Sequence, residues 1–174
     1  IAATLNDSGQ VVQLNRMHNL VYGAHTAAQQ ARAAELSQTL SGAGFDARAS
    51  DAILQEMWEK WVMLACLAAS TTSMRASVGE ILEAPGGEAF MLGLHDECRS
   101  IAAACGFEPR AKALDAVRQT LTTRGSDLTA SMFRDISRQG PIEADQVIGD
   151  LVERAGSLPV PRLRMVYLHL KAYE

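Results

Sequence analysis

The chain has 174 residues, a net charge of −4 and an apolar content of 48%, which suffices for one domain with a hydrophobic core and part of another. Both charge signs are mixed throughout and no Lys/Arg-rich run occurs, so nothing in the sequence supports nucleic-acid binding. The longest run without Asp, Glu, Lys, Arg or His, residues 61–74, is shorter than the roughly 20 apolar residues that a membrane span needs. The sequence therefore predicts neither nucleic acid nor a membrane as a partner.

The cysteines and histidines give no metal or disulfide pattern. Cys66, Cys98 and Cys105 are odd in number and include no Cys-x-x-Cys pair, which argues against a zinc site and against a disulfide framework. We interpret them as small core residues, with Cys98 and Cys105 on one helix face. Unpaired cysteines favour a reducing, cytoplasmic location. The four histidines show no ligand spacing, so no metal is predicted.

Short strands and one helix are predicted in the first fifty residues. An Ala/Gln/Glu-rich helix over 26–40 ends at Gly42 and Gly44, and Asn-Asp-Ser-Gly at 6–9 is typical of a turn. Because a stable sheet needs three or more strands with a covered face, these few strands are predicted to form the edge of a larger sheet that lies upstream. The predicted strands cover 1–5, 10–14, 18–23 and 45–49.

From residue 50 onward the pattern is helical, so a domain boundary is predicted near that residue. Ser50 or Asp51 can cap the first helix, and Pro161 suits the first turn of the last one. Glycine and proline punctuation separates the helices from one another. The predicted helices cover 50–70, 77–82, 88–105, 111–122, 128–138, 143–155 and 162–172.

Lys60 is the first candidate functional residue, because it introduces a long uncharged helix segment. A helix that is apolar around most of its circumference is buried, and lysine is almost never fully buried without a partner. Lys60 therefore calls for a carboxylate partner, a hydrated cleft or a chemical role. The alternative is that its stem packs on Trp58 or Trp61 while the ammonium reaches solvent.

Ser131 and Glu143 are the other candidates, and each alone has an ordinary structural explanation. Ser131 lies four residues before Asp135, on the same face of a predicted helix. Glu143 follows a Gly-Pro turn and is predicted to open a helix, where the helix dipole favours a carboxylate. Asp145 in the same turn is a candidate for a purely structural acid.

Together these segments resemble the C-terminal signature of the ketopantoate reductase family. The matching stretches are Trp58-Glu59-Lys60, residues 130–136, 140–145 and 148–149, Pro161 and residues 167–171. The first fifty residues resemble the end of that family's N-terminal domain. The resemblance implies a mainly α fold, with a helical C-terminal dehydrogenase domain preceded by a few strands and a helix from a Rossmann-type α/β domain. Residues 1–50 would then be the remnant of an NADP-binding domain, and residues 51–174 the helical substrate and catalytic domain.

The resemblance also implies an activity: NADPH-dependent reduction of 2-dehydropantoate, or a related 2-oxo acid, to (R)-pantoate in pantothenate and coenzyme A biosynthesis. By position, Lys60 matches the catalytic lysine that protonates the ketone oxygen. Ser131 matches a substrate-binding serine, and Glu143 matches a glutamate that contacts the cofactor. The chemistry is consistent, because hydride attack places negative charge on the ketone oxygen, which a positioned ammonium stabilises. The nicotinamide performs the hydride transfer.

Two departures from the family pattern affect these expectations. Leu64, Ala68 and Val78 stand where well-studied members carry asparagines that hold the substrate, so the substrate could be a different 2-oxo acid. The Gly-x-Gly-x-x-Gly turn that binds a dinucleotide pyrophosphate is absent, and Gly86-Gly87 follows no predicted strand. We therefore expect the chain to be part of a longer protein and inactive alone. The alternative is a non-catalytic helical module for dimerisation or interaction, and a homodimer is compatible with either hypothesis.

Overall fold

The first fifty residues form short strands and one helix. In the computed structural model, which describes residues 2–174, β1 (Ala3–Leu5) pairs antiparallel with β2 (Val11–Gln13). Asn6 holds the turn between them, because its Oδ1 accepts hydrogen bonds from the backbone N–H groups two and four residues later, at 3.0 and 2.9 Å. The predicted strands are therefore confirmed here, except that Ile1 lies outside the described residues.

A β–α–β arrangement follows this hairpin. β3 (Asn19–Tyr22) pairs in parallel with β4 (Asp46–Ala49), and the connection contains a 3₁₀ turn followed by α1 (Gln30–Thr39). The Tyr22 hydroxyl donates to Ser37 Oγ at 2.9 Å and so ties β3 to α1. None of the residues in these strands or in α1 is buried, so this part of the described chain has no hydrophobic core of its own.

The chain divides into two compact units, one ending at Glu56 and the other beginning at Met57, so the division falls inside α2 (Ile53–Met74). Ser50 Oγ accepts a hydrogen bond from Ala52 N at 3.1 Å just before this helix. α2 continues past its predicted end near residue 70. In its last turns the hydroxyls donate to carbonyls four residues earlier, as with Thr71 Oγ1 and Leu67 O at 2.7 Å, so these buried polar side chains are satisfied within the helix.

The end of α2 and the start of α3 are defined by two capping motifs. Arg75 adopts a left-handed φ of 52°, and Ala76 N donates to Thr71 O at 3.3 Å, which is a Schellman-type ending. α3 (Val78–Glu83) then begins with a capping box between Ser77 and Glu80. This motif was visible in the sequence as a serine followed three residues later by a glutamate.

The Gly86–Gly87 turn joins two helices and serves their packing. It lies between α3 and α4 (Gly87–Ala104), and Gly86 has a φ of +84°. A Cβ added to Gly87 would lie 1.7 Å from the carbonyl oxygen of Ile81, so glycine is required there by close approach of the two helices. α5 (Ala111–Leu121) follows, close to its predicted bounds.

The next two predicted helices differ from the structure, the first in its start and the second in its helix type. α6 (Ser131–Ser137) is shorter than the predicted 128–138, because Ala130 is extended, with φ −72° and ψ 160°. The predicted helix 143–155 is instead a π-helical turn (Asp145–Gly149) followed by α7 (Asp150–Arg154). Residue spacing in a sequence does not distinguish a single π turn from an α turn.

The last helix, α8 (Pro161–Tyr173), is capped by a residue distant in sequence. The carboxylate of Glu97 on α4 accepts hydrogen bonds from Leu163 N at 2.8 Å and from Arg162 N at 3.2 Å. The prediction of a mainly α fold is confirmed, and the hydrophobic core lies in the unit that begins at Met57.

In residues 2–174, no helix has the length and apolar character needed to cross a membrane.

The cysteines are free thiols and act mainly as core residues. Cys66 and Cys98 are fully buried, which confirms the prediction for these two, whereas Cys105 is half-buried. Burial raises the pKa of the Cys66 thiol, and the neighbouring Cys98 raises it further. A thiol held in this form is a poor nucleophile, so these residues suit packing rather than chemistry.

Candidate functional site

Lys60 lies on a part of α2 that is open to solvent. Its side chain is exposed, and no hydrogen bond or ion pair joins its ammonium to another of the described residues. The uncharged segment that follows is buried as expected, from Val62 onward, whereas Lys60 itself lies before the buried part of α2. Exposure is compatible both with a chemical role and with the alternative in which the ammonium simply reaches solvent, so burial does not decide between them.

The residues around Lys60 are held firmly in place. The Glu59 carboxylate accepts three hydrogen bonds from Arg110, namely from its backbone N at 2.9 Å, Nε at 2.8 Å and Nη2 at 2.6 Å. The Trp58 and Trp61 rings lie 5.0 Å apart, and Trp58 stacks on Phe107 at 5.5 Å. Lys60 is thus an exposed cation on a backbone that its neighbours anchor on both sides.

Arg154 completes this aromatic cluster. Its guanidinium lies 5.8 Å from the Trp58 ring centroid and 5.6 Å from that of Trp61, within cation–π range. The spacing of the two tryptophans, three residues apart, was a readable signal for a shared helix face. The contribution of Arg154, nearly a hundred positions later, had no local signal in the sequence.

The segment that follows Glu143 is tied to α2 directly beside Lys60. Trp61 Nε1 donates a hydrogen bond to the backbone carbonyl of Val147 at 3.1 Å, and Val147 N donates to the carbonyl of Glu143 at 3.0 Å. Glu143 is exposed and lies immediately before Ala144, the first helical residue, so it stands at the start of the helical segment within one residue of its predicted place. Its carboxylate still lies at the positive end of a helical segment.

The residue before Ser131 is hydrogen-bonded to α2, on the same helix face as Lys60 but further along the helix. Ala130 N donates to Thr71 Oγ1 at 3.1 Å. In a regular α-helix, residues 60 and 71 point in directions about 20° apart around the axis and lie about 16 Å apart along it. Ser131 itself is exposed at the first position of α6. α2 therefore contacts both segments that carry the other two candidates, but the convergence of the three side chains stays a prediction.

The three positions where the family has asparagines differ in their surroundings. Leu64, one turn after Lys60, is 42% exposed, whereas Ala68 is 5% exposed and Val78 is fully buried. Val78 also donates its backbone N–H to the Leu128 carbonyl at 3.0 Å. Leu64 is thus the member of this group that presents a sizeable surface next to Lys60, and Val78 is a core residue.

Asp145 has the structural role that was considered for it. Its carboxylate accepts hydrogen bonds from the Tyr167 hydroxyl at 2.6 Å and from Lys171 Nζ at 3.1 Å, which ties the π turn to α8. The hydrogen bond from Tyr167 and, to a smaller extent, the one from Lys171 lower the pKa of the Asp145 carboxyl. The same bond raises the pKa of the Tyr167 hydroxyl. A surface depression of about 610 Å³ beside this cluster is lined by none of the three candidates.

His95 is a buried titratable side chain on α4. It is 5% exposed, and its Nε2 has no hydrogen-bond partner within residues 2–174. Burial lowers the pKa of its imidazole, although Asp96 opposes this effect. Across the same residues, no group of three or more His, Cys, Asp or Glu side chains is arranged to hold a metal ion.

Comparison with known sequences points to a single family. The sequence model described as "Ketopantoate reductase PanE/ApbA C terminal" matches residues 52–174. The chain is also 26% identical over 176 aligned residues to the "Uncharacterized oxidoreductase YkpB" of Bacillus subtilis (strain 168), covering 100% of this chain and 58% of that protein. The chain thus spans little more than half the length of this relative.

Solved structures share the fold. A PanE/ApbA family ketopantoate reductase from Ralstonia eutropha JMP134 superposes with a TM-score of 0.84 at 23% identity, over 99% of this chain and 56% of that one. A D-mandelate dehydrogenase solved with NADH and anilino(oxo)acetate gives a TM-score of 0.83 at 18% identity, over 99% and 57%. A dimeric ketopantoate reductase from Staphylococcus aureus gives 0.82 at 20% identity, over 99% and 60%. At these identities the likeness establishes the fold alone.

Proposed function

Because the chain belongs to the ketopantoate reductase family, whose C-terminal sequence model covers residues 52–174, we propose that it supplies the substrate-binding and proton-donating part of a nicotinamide-dependent reductase of 2-oxo acids. The observation that carries the proposal is the state of Lys60. It is an exposed ammonium without a partner among the described residues, on a backbone fixed by Glu59 and Trp61. A positioned cation of this kind can stabilise the charge that develops on a ketone oxygen and then protonate it.

Ser131 and Glu143 have the remaining roles in the proposal. The Ser131 hydroxyl would bind the substrate, and the Glu143 carboxylate would contact the cofactor. Their support is the family pattern together with the two ties to α2, at Thr71 and at Trp61. Both side chains are exposed and so are accessible to a ligand.

The described residues do not fit the pyrophosphate of a dinucleotide. The glycine turn at the start of α4 is filled by the close approach of Ile81 and follows a helix rather than a strand. NADPH would therefore be held mainly by residues outside this chain, and the cofactor supplies the hydride when bound there. In this proposal, residues 1–50 belong to the nucleotide-binding domain, and the apolar side chains exposed on β1 and β2, such as Leu5 and Val11, would pack against the rest of it.

The more specific expectations belong to the proposal as well. These are reduction of 2-dehydropantoate to (R)-pantoate for pantothenate and coenzyme A biosynthesis, or the same reduction of a related 2-oxo acid. They also include NADPH rather than NADH as the reductant, and a cytoplasmic location. The free thiols are consistent with that location.

The direct test uses the full-length protein. Purified protein is mixed with NADPH, or with NADH in parallel, and with a series of 2-oxo acids, and loss of the reduced nicotinamide is followed. The proposal predicts substrate-dependent oxidation with at least one 2-oxo acid. If the protein binds NADPH but oxidises it with none of them, the proposal is wrong.

One observation favours the alternative of an assembly module. Met165 and Leu168 on α8 are 66% and 64% exposed, and Met74 at the end of α2 is 49% exposed. Exposed apolar side chains of this size are common in protein interfaces. Sedimentation of the full-length protein with and without the substitution Met165→Glu tests whether a homodimer uses this surface. An unchanged monomeric mass in both would remove the alternative.

A further inference from the structure

The surface around Lys60 is apolar. On an α-helix the neighbours of a residue lie three and four positions away. Three of the four such neighbours of Lys60 are Met57, Met63 and Leu64, and of these Met57 is 59% and Leu64 is 42% exposed. Lys60 is therefore a single cationic group flanked by exposed apolar side chains on both sides along the helix.

The polar groups near this surface are already engaged. Glu56, the fourth helix neighbour, accepts hydrogen bonds from Arg48 Nη2 at 2.5 Å and from Ser50 Oγ at 2.6 Å. Further along the same face, Thr71 is fully buried, and its hydroxyl donates to Leu67 O and accepts from Ala130 N. Ala68, between Leu64 and Thr71, offers no hydrogen-bonding side chain. A ligand hydroxyl placed against Met57 or Leu64 would have no uncommitted side-chain partner on this part of α2, and the exposed Ser131 hydroxyl belongs to a separate segment that is bound to α2 at Thr71.

We propose that the substrate is a 2-oxo acid with an apolar substituent, alkyl or aromatic, rather than the hydroxylated substituent of 2-dehydropantoate. This inference rests on the proposed function and narrows its substrate class. The ammonium of Lys60 is complementary to the oxygen atoms of the 2-oxo acid group. Met57 and Leu64 cover an apolar substituent, and a ligand hydroxyl placed against them loses its bond to water without replacement.

The expected discrimination follows from the kind of contact. One methylene in an apolar site changes kcat/KM by roughly 10- to 200-fold, and an apolar site rejects an added hydroxyl by about 100-fold. We therefore expect kcat/KM of the full-length protein to be at least about tenfold higher for 2-oxo-4-methylpentanoate or phenylglyoxylate than for 2-dehydropantoate.

The test adds one substitution and a matched control to these kinetics. Leu64→Asn introduces an amide beside Lys60 at the position where the family carries one, and Leu36→Asn makes the same change at a leucine of α1 with similar exposure, 39% against 42%. We expect Leu64→Asn to shift the ratio of kcat/KM between apolar and hydroxylated substrates by about tenfold or more toward the hydroxylated one. Leu36→Asn should leave that ratio unchanged. Thermal melting shows whether each variant is folded.

The outcomes separate the two proposals. Preference of the unmodified protein for 2-dehydropantoate overturns the apolar-substrate inference and leaves the reductase function intact. An unchanged substrate ratio in folded Leu64→Asn shows that the Lys60 face does not contact the substituent, which also overturns it. Absence of turnover with every 2-oxo acid overturns the reductase function itself, and the inference with it.

Discussion

Removal of the Glu97 carboxylate should strongly destabilise the helical unit. The first N–H groups of any helix lack partners within the helix, and in α8 two of them donate to Glu97, at 2.8 and 3.2 Å. Arg162 Nη1 donates to the same carboxylate at 3.2 Å. The Glu97 side chain is only 7% exposed, so water replaces these bonds poorly.

The magnitude follows from the number and type of these bonds. Hydrogen bonds to a charged group contribute about 1.5–3 kcal/mol each, and removing one partner of a buried pair costs about 3–5 kcal/mol. The Arg162 side chain is 46% exposed, so its part is reduced by solvent screening. Glu97→Ala should therefore lower the free energy of unfolding by about 3–4 kcal/mol, and Glu97→Gln, which keeps one acceptor oxygen, by about 1–2 kcal/mol.

Urea denaturation followed by circular dichroism measures both values. Glu83→Gln is the matched control, because its carboxylate is 73% exposed and lies 3.5 Å from Arg124. Such a surface pair contributes at most about 1 kcal/mol. If Glu97→Ala changes stability no more than this control does, the carboxylate does not cap α8 in the way described.

Three further predictions concern the interior, the π turn and the cofactor. Burial lowers the pKa of His95 below its unfolded value of about 6.5, so the unfolded state takes up the proton first and the free energy of unfolding should fall as pH falls below about 6.5. In His95→Gln the urea midpoint should depend less on pH in this range, whereas in the control His169→Gln, at an exposed position, the dependence should be unchanged. Trp61→Phe removes the hydrogen bond to the Val147 carbonyl and should lower the free energy of unfolding by about 1–2 kcal/mol more than Trp58→Phe does, as measured by urea denaturation. Equal losses in the two variants would contradict the role of the indole N–H. Residues 1–174 alone should bind NADPH weakly or not at all, since they lack a pyrophosphate site, and micromolar affinity in calorimetry would refute this.

Much of the fold could be predicted because its signals are local. Three such signals each act within one turn of chain: the capping box at Ser77, Gly106 with its left-handed φ after the end of α4, and Pro161 at the start of α8. The errors arose where distant contacts decide the structure. The start of α6 depends on the bond from Ala130 N to Thr71, and no residue near the predicted start of that helix signals it.

The candidate site shows the same limit. Lys60 stood out because of the uncharged sequence after it, and that segment is buried from Val62 onward. The exposure of Lys60 itself could not be predicted, since it depends on which helix face the rest of the unit covers. The family resemblance supplied Ser131 and Glu143, whereas neither residue has a distinctive local pattern. The hydrogen bond between Trp61 and Val147, which joins two of the candidate segments, spans 86 residues and could be found only in three dimensions.

Steady-state kinetics of Lys60→Ala in the full-length protein test the central proposal most directly. A positioned proton donor contributes about 10²–10⁴-fold to turnover, so kcat and kcat/KM should both fall by at least about a hundredfold, with little change in NADPH affinity. Because Lys60 is exposed and has no partner among the described residues, the melting temperature should stay close to that of the unmodified protein. A folded variant with near-normal turnover would contradict the proposal and leave Lys60 as a lysine that only reaches solvent.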